Sequence, residues 1–447
     1  MSSAQFTGSK VALGRKFAVS GSKLALAIFI TGMKGLIFFH TLSAYEPTVV
    51  AAYATALNLI MVFVIAAGGF QMLVVSRFRP ADFRPDTWRP ETADRLSALA
   101  ATAVAVLVGL AALLALAGGA LALMTSGSAL VETAYWARVP SVWLVPITSM
   151  LSGILVLMGK EGVALRVAVE NLVLTIAVAF VLTFFDLSGP AILVCIGLFG
   201  TAVDLSLVLR QWIGLGPMRG AAGAALRRGV RLISAPGRWQ YVKAVPRAVS
   251  GAVDALLLAA TFTVVTALAT TVSPVAGAIT GSLVALIRTV VVPLKAYGMV
   301  AGRMTKQSEN AATMNTFVTT VGLFFIPAGL FLLVSPATFV NLVGEYPADS
   351  PGILLAVRLV GAQLVLEPFT GFVSSALKVL VAPSATLRSL AISLFGCALP
   401  AISVLSWTGS LSLGGVWIVL LLTRVLFCVQ TTYTYSRWRS RALEAAG

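Results

Sequence analysis

The chain has 447 residues, of which 58% are hydrophobic and 11% are charged, and its formal net charge is +16 at pH 7. A mean hydropathy of +0.96 excludes an ordinary soluble domain and is typical of a protein that crosses a membrane many times. The three cysteines lie in apolar runs, at spacings that suit neither a zinc site nor a disulfide framework: Cys195, Cys397 and Cys428. We therefore expect no metal and no redox chemistry.

Windows of about 20 apolar residues predict twelve transmembrane helices. They lie near residues 20–43, 48–75, 97–125, 139–159, 163–185, 189–213, 241–268, 274–300, 314–336, 352–378, 384–406 and 412–434. The polar start, MSSAQFTGSKVALGRKF, does not fit a cleaved signal peptide, so we expect the first span to remain in the mature protein. An even number of spans places both termini on one side of the membrane.

The loops divide sharply by charge. The side of the termini carries most of the basic residues, among them Lys10, Arg15, Lys16, Arg77, Arg79, Arg84, Arg89, Arg95, Arg219, Arg227, Arg228, Arg231, Arg238, Arg303, Lys306, Arg437, Arg439 and Arg441. The opposite loops are acidic, with Glu46, Glu132, Asp186, Glu345 and Asp349, and Arg138 is their single basic residue. Basic loops face the cytoplasm, so we predict a multi-pass protein of the plasma membrane with both termini cytoplasmic. The positive charge is then a topology signal with contacts to lipid, and we expect no nucleic-acid binding.

The sequence contains a weak internal repeat. At a shift of 226 residues the matched pairs are Ala52 and Ala278, Leu57 and Leu283, Arg77 and Arg303, and Trp212 and Trp438. Six spans precede the midpoint and six follow it, so the halves enter the membrane from the same side and the repeat is parallel. We predict a six-helix lobe at 1–213, a basic cytoplasmic linker at 214–240, a second six-helix lobe at 241–436 and a basic tail at 437–447.

Two segments suggest a family. In VPRAVSGAVDALLLAATFTVVTALATTVSPVAGAITGSLVAL (245–286), a proline early in span seven (Pro246) precedes a midspan acid (Asp254), and a small-residue opening of span eight (276–279) follows. With VLVAPSATLRSLAI (379–392), this pattern resembles the multidrug/oligosaccharidyl-lipid/polysaccharide exporter superfamily, which includes lipid-linked oligosaccharide flippases, multidrug and toxic compound extrusion proteins and, more weakly here, the progressive ankylosis anion exporters. The loop after span two, SRFRPADFRPDTWRPETADR, lacks the signature of major facilitators.

The resemblance implies an all-α integral membrane protein, with twelve transmembrane helices in two six-helix lobes related by a parallel pseudo-two-fold repeat. It also implies a central cavity lined by spans one, two, seven and eight. Three cations lie inside those spans: Lys34, Arg288 and Lys295. Arg288 is about 21 Å along the helix from the start of span eight, well inside a hydrocarbon core roughly 30 Å thick. We assign these cations to substrate binding, although Lys295 is also close enough to the cytoplasmic end to extend to the surface.

The buried acids allow more than one role. Asp254 can be a coupling site for protons or sodium, or it can pair with Arg288 or Arg247. Glu367 and Arg424 lie midspan on spans ten and twelve, where we expect an ion pair between helices. At the start of span five we expect Arg166 and Glu170 to neutralise each other. For Asn58, Gln71 and Asn315 we expect hydrogen bonds between helices, and Asp204 is left open.

The cations outnumber the acid in these spans, which favours an anionic substrate with phosphate. His40 is the single histidine, and no signature of an enzyme or a nucleotide-binding module is present, so we expect neither an enzyme nor a cofactor. The leading hypothesis is a monomeric flippase that moves an anionic lipid-linked saccharide precursor by alternating access. The alternatives are a proton- or sodium-coupled multidrug or metabolite antiporter that uses Asp254, an exporter of a soluble anion such as pyrophosphate or citrate, and a membrane scaffold or enzyme subunit without transport.

Overall fold

The structure is a computed structural model, and it describes residues 23, 26–27, 29–78, 80–83, 89–124, 127–158, 160–234, 253–308, 311–343, 350–381 and 383–444. Within these ranges the chain forms helices and no strand. In chain order the helices are α1 (Phe29–Leu42), α2 (Pro47–Arg77), α3 (Pro90–Met124), α4 (Ala129–Leu157), α5 (Glu161–Leu182), α6 (Gly189–Gly214), α7 (Arg219–Ser234), α8 (Val253–Val272), α9 (Pro274–Ser308), α10 (Ala311–Val334), α11 (Pro336–Val343), α12 (Pro351–Glu367), α13 (Ser374–Leu380), α14 (Pro383–Ser393), α15 (Leu399–Trp407) and α16 (Leu413–Glu444).

Short segments of other helical types join some of these helices. Pro80–Phe83 and Gly216–Met218 are single 3₁₀ turns. Pro368–Val373 joins α12 to α13 as a π-helical segment, and Leu394–Ala398 joins α14 to α15 in the same way. The spans of α12 with α13, and of α14 with α15, are therefore each interrupted near the middle by a wider helical turn.

The predicted spans agree with the helices. Ten helical stretches of the described chain are long and apolar enough to cross a membrane, and two shorter apolar helices, Phe29–Leu42 and Leu256–Val272, account for the first and seventh predicted spans. Proline fixes where several of them begin, because its missing N–H is unpaired at the first helical position in any case. Helices that start in this way begin at Pro47, Pro90, Pro274, Pro336, Pro351 and Pro383.

The chain divides into two compact units. The continuous unit is Ala52–Thr263, and the discontinuous unit combines Met1–Ala51 with Val264–Gly447. These units are defined by contacts, whereas the lobes 1–213 and 241–436 were inferred from the repeat and remain a prediction.

Small residues allow close helix packing within each unit. In the discontinuous unit α10 and α12 cross at Gly329 and Gly361, where a Cβ placed on either glycine would lie 2.6 or 2.7 Å from the carbonyl oxygen of the other. In the continuous unit α6 meets α4 at Gly197, whose Cβ position is 2.6 Å from the carbonyl of Ala137. Apolar surface gains little from leaving lipid, so membrane helices associate through such close van der Waals contact.

The predicted linker contains a helix. Residues 219–234 form α7, which packs on α3 in the continuous unit: a Cβ at Gly229 would lie 2.6 Å from both the Ala100 Cβ and the Ser97 carbonyl. Arg228 forms an ion pair with Asp94 at the start of α3, at 2.6 Å. Windows chosen to find long apolar stretches do not detect a helix of this kind, because it is basic on one side.

Candidate substrate-binding site

Two of the predicted cations lie on neighbouring helices of the discontinuous unit. Gly32 of α1 packs against Thr289 of α9, and its Cβ position lies 3.1 Å from the Thr289 Cα and 3.2 Å from the Thr289 Oγ1. A Cβ at this position would fit only if Thr289 moved away by a few tenths of an ångström. Thr289 directly follows Arg288, and Gly32 precedes Lys34 by two residues. The contact therefore brings the helix segments that carry Lys34 and Arg288 together.

The environment of Lys34 has space on one side. Lys34 is half-buried, and a Cβ placed at the adjacent Gly35 would meet no atom within 4 Å among the described residues. Gly32 packs against α9, whereas no described atom lies close to Gly35. The space beside Gly35 therefore leaves room for a ligand.

Arg288 and Lys295 form a strip along α9, which we call the cationic strip. The two residues are seven apart, about two turns, so their side chains leave the helix in nearly the same direction. Gly302 is seven residues after Lys295, in line with the strip, and lies against the carbonyl of Ala376. Gly298, about 70° around the helix from the strip at 100° per residue, contacts the carbonyl of Phe372. Thr289 lies on the side of α9 opposite Gly298. The cationic strip therefore continues into the face of α9 that packs on Phe372 and Ala376.

A proline interrupts the hydrogen bonding of α9 at the same level. Pro293 lies inside a helix that continues from Pro274 to Ser308. Proline has no N–H, so it cannot donate to the carbonyl four residues earlier, that of Thr289. The side-chain hydroxyl of Thr289 makes a separate hydrogen bond, to the Ala285 carbonyl at 2.8 Å. The helix thus lacks one backbone hydrogen bond next to Arg288.

The structure brings Glu367 and Arg424 together. An Arg424 nitrogen, Nη2, lies 3.3 Å from the Glu367 Oε1, with 7% of the arginine side chain and 1% of the glutamate side chain exposed. The two groups are close enough to pair as charges, although their geometry is not that of a hydrogen bond. Glu367 directly precedes the π-helical segment Pro368–Val373, in which Gly371 leaves room for the carboxylate: its Cβ position would be 2.8 Å from the Glu367 Oε2.

The pair is connected to α9. The Cβ position of Gly371 is also 3.2 Å from Leu294, the residue before Lys295. Helical distortions of the π type occur frequently at functional sites, because they redirect side chains and leave backbone groups open. Within the discontinuous unit, the π-helical segment therefore contacts the ion pair on one side and α9 on the other.

The role assigned to Asp254 stays a prediction. Its backbone lies at the start of α8, but its side chain is outside the described residues, as is all of Arg247. The described residues contain no group of three or more His, Cys, Asp and Glu side chains that could hold a metal ion.

Two predicted polar pairs are confirmed. Arg166 and Glu170 form an ion pair one turn apart on α5, with Nε and Oε1 at 2.9 Å, and Arg210 of α6 also contacts Glu170. The Tyr435 hydroxyl donates to the Asn315 Oδ1 at 2.5 Å, which connects α16 to α10. These residues hold helices together within their units.

Arg138 was wrongly placed in an external loop. It lies in α4, where only 8% of it is exposed, and its Nη2 donates to the Tyr53 hydroxyl of α2 at 3.4 Å. Its guanidinium carbon is 5.8 Å from the centre of the Tyr53 ring, and its Nε is buried without a hydrogen-bond partner in the described chain. The hydropathy window started after Arg138 because a charge lowers the average, although ALVETAYWARVP continues the helix on both sides.

We expect replacement of Arg138 by methionine to leave the thermal stability unchanged or to raise it. A buried guanidinium with one long hydrogen bond is poorly compensated for its lost hydration, and apolar residues of similar volume often replace such charges without loss. Thermal unfolding of the purified protein in detergent measures the effect, with Tyr53→Phe as the matched variant. A clear fall in the melting temperature of Arg138→Met would mean that the arginine stabilises the unit.

Solved structures share this fold. An inward-facing MATE family transporter of the MOP superfamily, described as a multidrug resistance protein, matches with a TM-score of 0.69 at 15% identity over 96% of each chain. An outward-facing form matches with a TM-score of 0.67, again at 15% identity over 96% of each chain. A MOP superfamily transporter from Pyrococcus furiosus, whose binding pocket is described as having reverse polarity and suggesting a different function, matches with a TM-score of 0.66 at 15% identity over 96% of each chain.

No family model and no curated protein matches the sequence. At such low identity the structural likeness shows the fold alone. The chain therefore has the fold of the MATE transporters, and the finer resemblance to flippases and to the progressive ankylosis proteins stays a prediction.

Proposed function

We propose that this protein is a membrane transporter that exports an anionic substrate by alternating access. The observation that carries the proposal is the contact between α1 and α9, which joins the segments of Lys34 and Arg288 in one unit. A charge at the centre of a membrane costs roughly 2.5–3.5 kcal/mol on insertion scales, so it is kept where it has a use. Neither α1 nor α9 contains an aspartate or a glutamate.

The chemistry of these side chains favours phosphate. A guanidinium binds two oxygens of a phosphate or carboxylate in parallel, and a lysine beside it adds a mobile point charge. In our proposal Arg288 binds the phosphate, Lys295 attracts the anion two helical turns further along α9, and Lys34 adds positive charge from the neighbouring helix α1.

Structural neighbours support a transport role. MATE family structures include an inward-facing and an outward-facing form, as expected for alternating access. The Pyrococcus furiosus neighbour, whose binding pocket is described as having reverse polarity, is a precedent for a different function on this fold. We infer that the substrate here is an anionic lipid-linked saccharide precursor, whose phosphate-bearing head group crosses the protein while its lipid tail stays in the bilayer. We also infer a monomer in the plasma membrane, with both termini cytoplasmic and two six-helix lobes.

Native mass spectrometry tests the substrate class. The gently solubilised wild type is compared with Lys34→Ala and Arg288→Ala for co-purified ligands. We expect the wild type to retain a polyprenyl-phosphate lipid or its saccharide adduct, and both variants to lose it. If the wild type and both variants carry only bulk phospholipid, the proposal of a lipid-linked substrate is wrong. Added pyrophosphate and citrate then test for a soluble anion instead.

A coupled multidrug or metabolite antiporter is the second candidate, favoured by the multidrug resistance neighbours and by Asp254 near the start of α8. In that case Asp254→Asn abolishes transport driven by a proton or sodium gradient, because the amide cannot take up and release the ion. Uncoupled flipping of an anionic lipid is expected to survive this substitution. Transport assays in vesicles with and without an imposed gradient distinguish the two. Gradient-driven drug export by Asp254→Asn would exclude Asp254 as the coupling residue, and an absence of gradient-driven drug export by the wild type would exclude the antiporter.

A further inference from the structure

The exposed side of α7 carries only positive charges. The helix, RGAAGAALRRGVRLIS, contains no acidic residue, and four arginines are exposed on it: Arg219, Arg227, Arg228 and Arg231. Small buried residues form its other side, namely Ala222, Ala225 and Gly229. The helix is thus amphipathic, with its small residues against the protein and its arginines outward.

Two of these arginines already have partners. Arg228 is paired with Asp94, and Arg219 donates from Nη2 to the Ile213 carbonyl at 3.0 Å. These contacts, with the packing of Gly229 on α3, hold the helix in one position. Arg227 and Arg231 form no ion pair or hydrogen bond with any residue that the structure describes.

Arg227 and Arg231 are therefore placed for a ligand outside the protein. They are four residues apart, so both guanidinium groups leave the same side of the helix, about 180° from Gly229 and its contact with α3. Gly220 and Ala224 lie on the same exposed side and add no bulk. Two like charges at this spacing repel each other by a few tenths of a kcal/mol in the free protein, and an anion between them removes that penalty.

The depth of α7 indicates which anion. Gly229 contacts Ser97, Ala100 and Ala101, in the early turns of α3, whose apolar span includes Pro90–Leu123. The apolar window of this span begins near residue 97 in the sequence, so we place this level close to the boundary between hydrocarbon and head groups. On the same side Val230 is 53% exposed, an apolar residue beside arginines, as in helices that lie in the membrane interface. Arg89 and Arg95 at the start of α3 are exposed as well.

We propose that α7 binds the head-group phosphate of an anionic phospholipid, with Arg227 and Arg231 as the two ligating residues. This surface is separate from the cationic strip and does not depend on the transported substrate. Basic residues near a membrane surface gain about 1 kcal/mol each from anionic lipid. Binding fixes α7, and with it the start of α3, to the membrane.

The test is the affinity of the full-length purified protein for phosphatidylglycerol, with phosphatidylcholine as the neutral lipid, measured by native mass spectrometry. We expect Arg227→Gln/Arg231→Gln to bind phosphatidylglycerol roughly 30-fold more weakly than the wild type, with no change for phosphatidylcholine. The matched control is Arg437→Gln/Arg439→Gln, which removes the same charge from two exposed positions of α16 and should lose clearly less affinity than Arg227→Gln/Arg231→Gln.

Three results would overturn the proposal: unchanged affinity in Arg227→Gln/Arg231→Gln, an equal loss in both double variants, or an equal loss for both lipids. Arg227→Lys/Arg231→Lys keeps the charge and should retain part of the affinity. The melting temperature of each variant is measured as well, and only variants that unfold at the same temperature as the wild type are compared for lipid affinity. The result is independent of transport, so it stands or falls separately from the proposed function.

Discussion

Replacement of Arg288 by alanine is expected to abolish transport of the anionic substrate. Arg288 lies in the apolar part of α9, beside the contact with α1, where a phosphate without its guanidinium would be desolvated and unpaired. Loss of one partner of such a buried charge pair costs about 2–5 kcal/mol, so the affinity should fall roughly 30-fold or more. Flux of the labelled substrate into proteoliposomes measures the loss.

Two controls separate this effect from damage to the fold. Arg166→Ala removes an arginine whose side chain is 81% exposed in its pair with Glu170, and it should transport like the wild type. Arg288→Lys keeps the charge without the two-pronged geometry and should recover part of the flux. Normal flux in Arg288→Ala would exclude the cationic strip as the substrate site.

Replacement of Glu367 by glutamine is expected to destabilise the protein by about 3–5 kcal/mol. The substitution keeps the shape of the side chain but leaves the Arg424 guanidinium buried without its counter-charge. Arg424→Met should have a similar effect for the opposite reason, since it leaves the Glu367 carboxylate alone. Thermal unfolding in detergent, supported by the yield of folded protein, provides the measurement.

The double variant Glu367→Gln/Arg424→Met is the control for the ion pair. It removes both charges, so it should be more stable than either single variant, because no unpaired charge remains in the interior. If the losses of stability in the two single variants add up in the double variant, the two residues stabilise the unit independently. The ion pair at 3.3 Å would then contribute little.

Sequence predicted the helices well because their signal is long and redundant. Each span contains about 20 apolar residues, so a single misplaced charge shifts a boundary without removing the helix. Arg138 illustrates the limit: it moved the predicted start of α4 past itself, although the helix begins at Ala129. In α9 the mean hydropathy stays high despite Arg288 and Lys295, because apolar residues lie on either side of both charges.

The parts of the site that depend on packing could not be predicted in detail. The pairing of Glu367 with Arg424 was expected from two opposite charges at midspan, but the π-helical segment after Glu367 has no comparable pattern in PFTGFV. The close contact between Gly32 and Thr289 could be identified only from coordinates. Helix α7 was missed as an element because apolar windows do not detect a helix whose outer side is basic.

The glycine contacts of α9 have a mechanical consequence. At Gly298 and Gly302 the helix backbone lies directly against the carbonyls of Phe372 and Ala376, with no side chain between them to change rotamer. Interlocked in this way, α9 cannot slide along or roll over the segment from Pro368 to Leu380 without collision. We therefore expect a movement of the part of α9 after Pro293 to displace this segment as well, together with Glu367 directly before it.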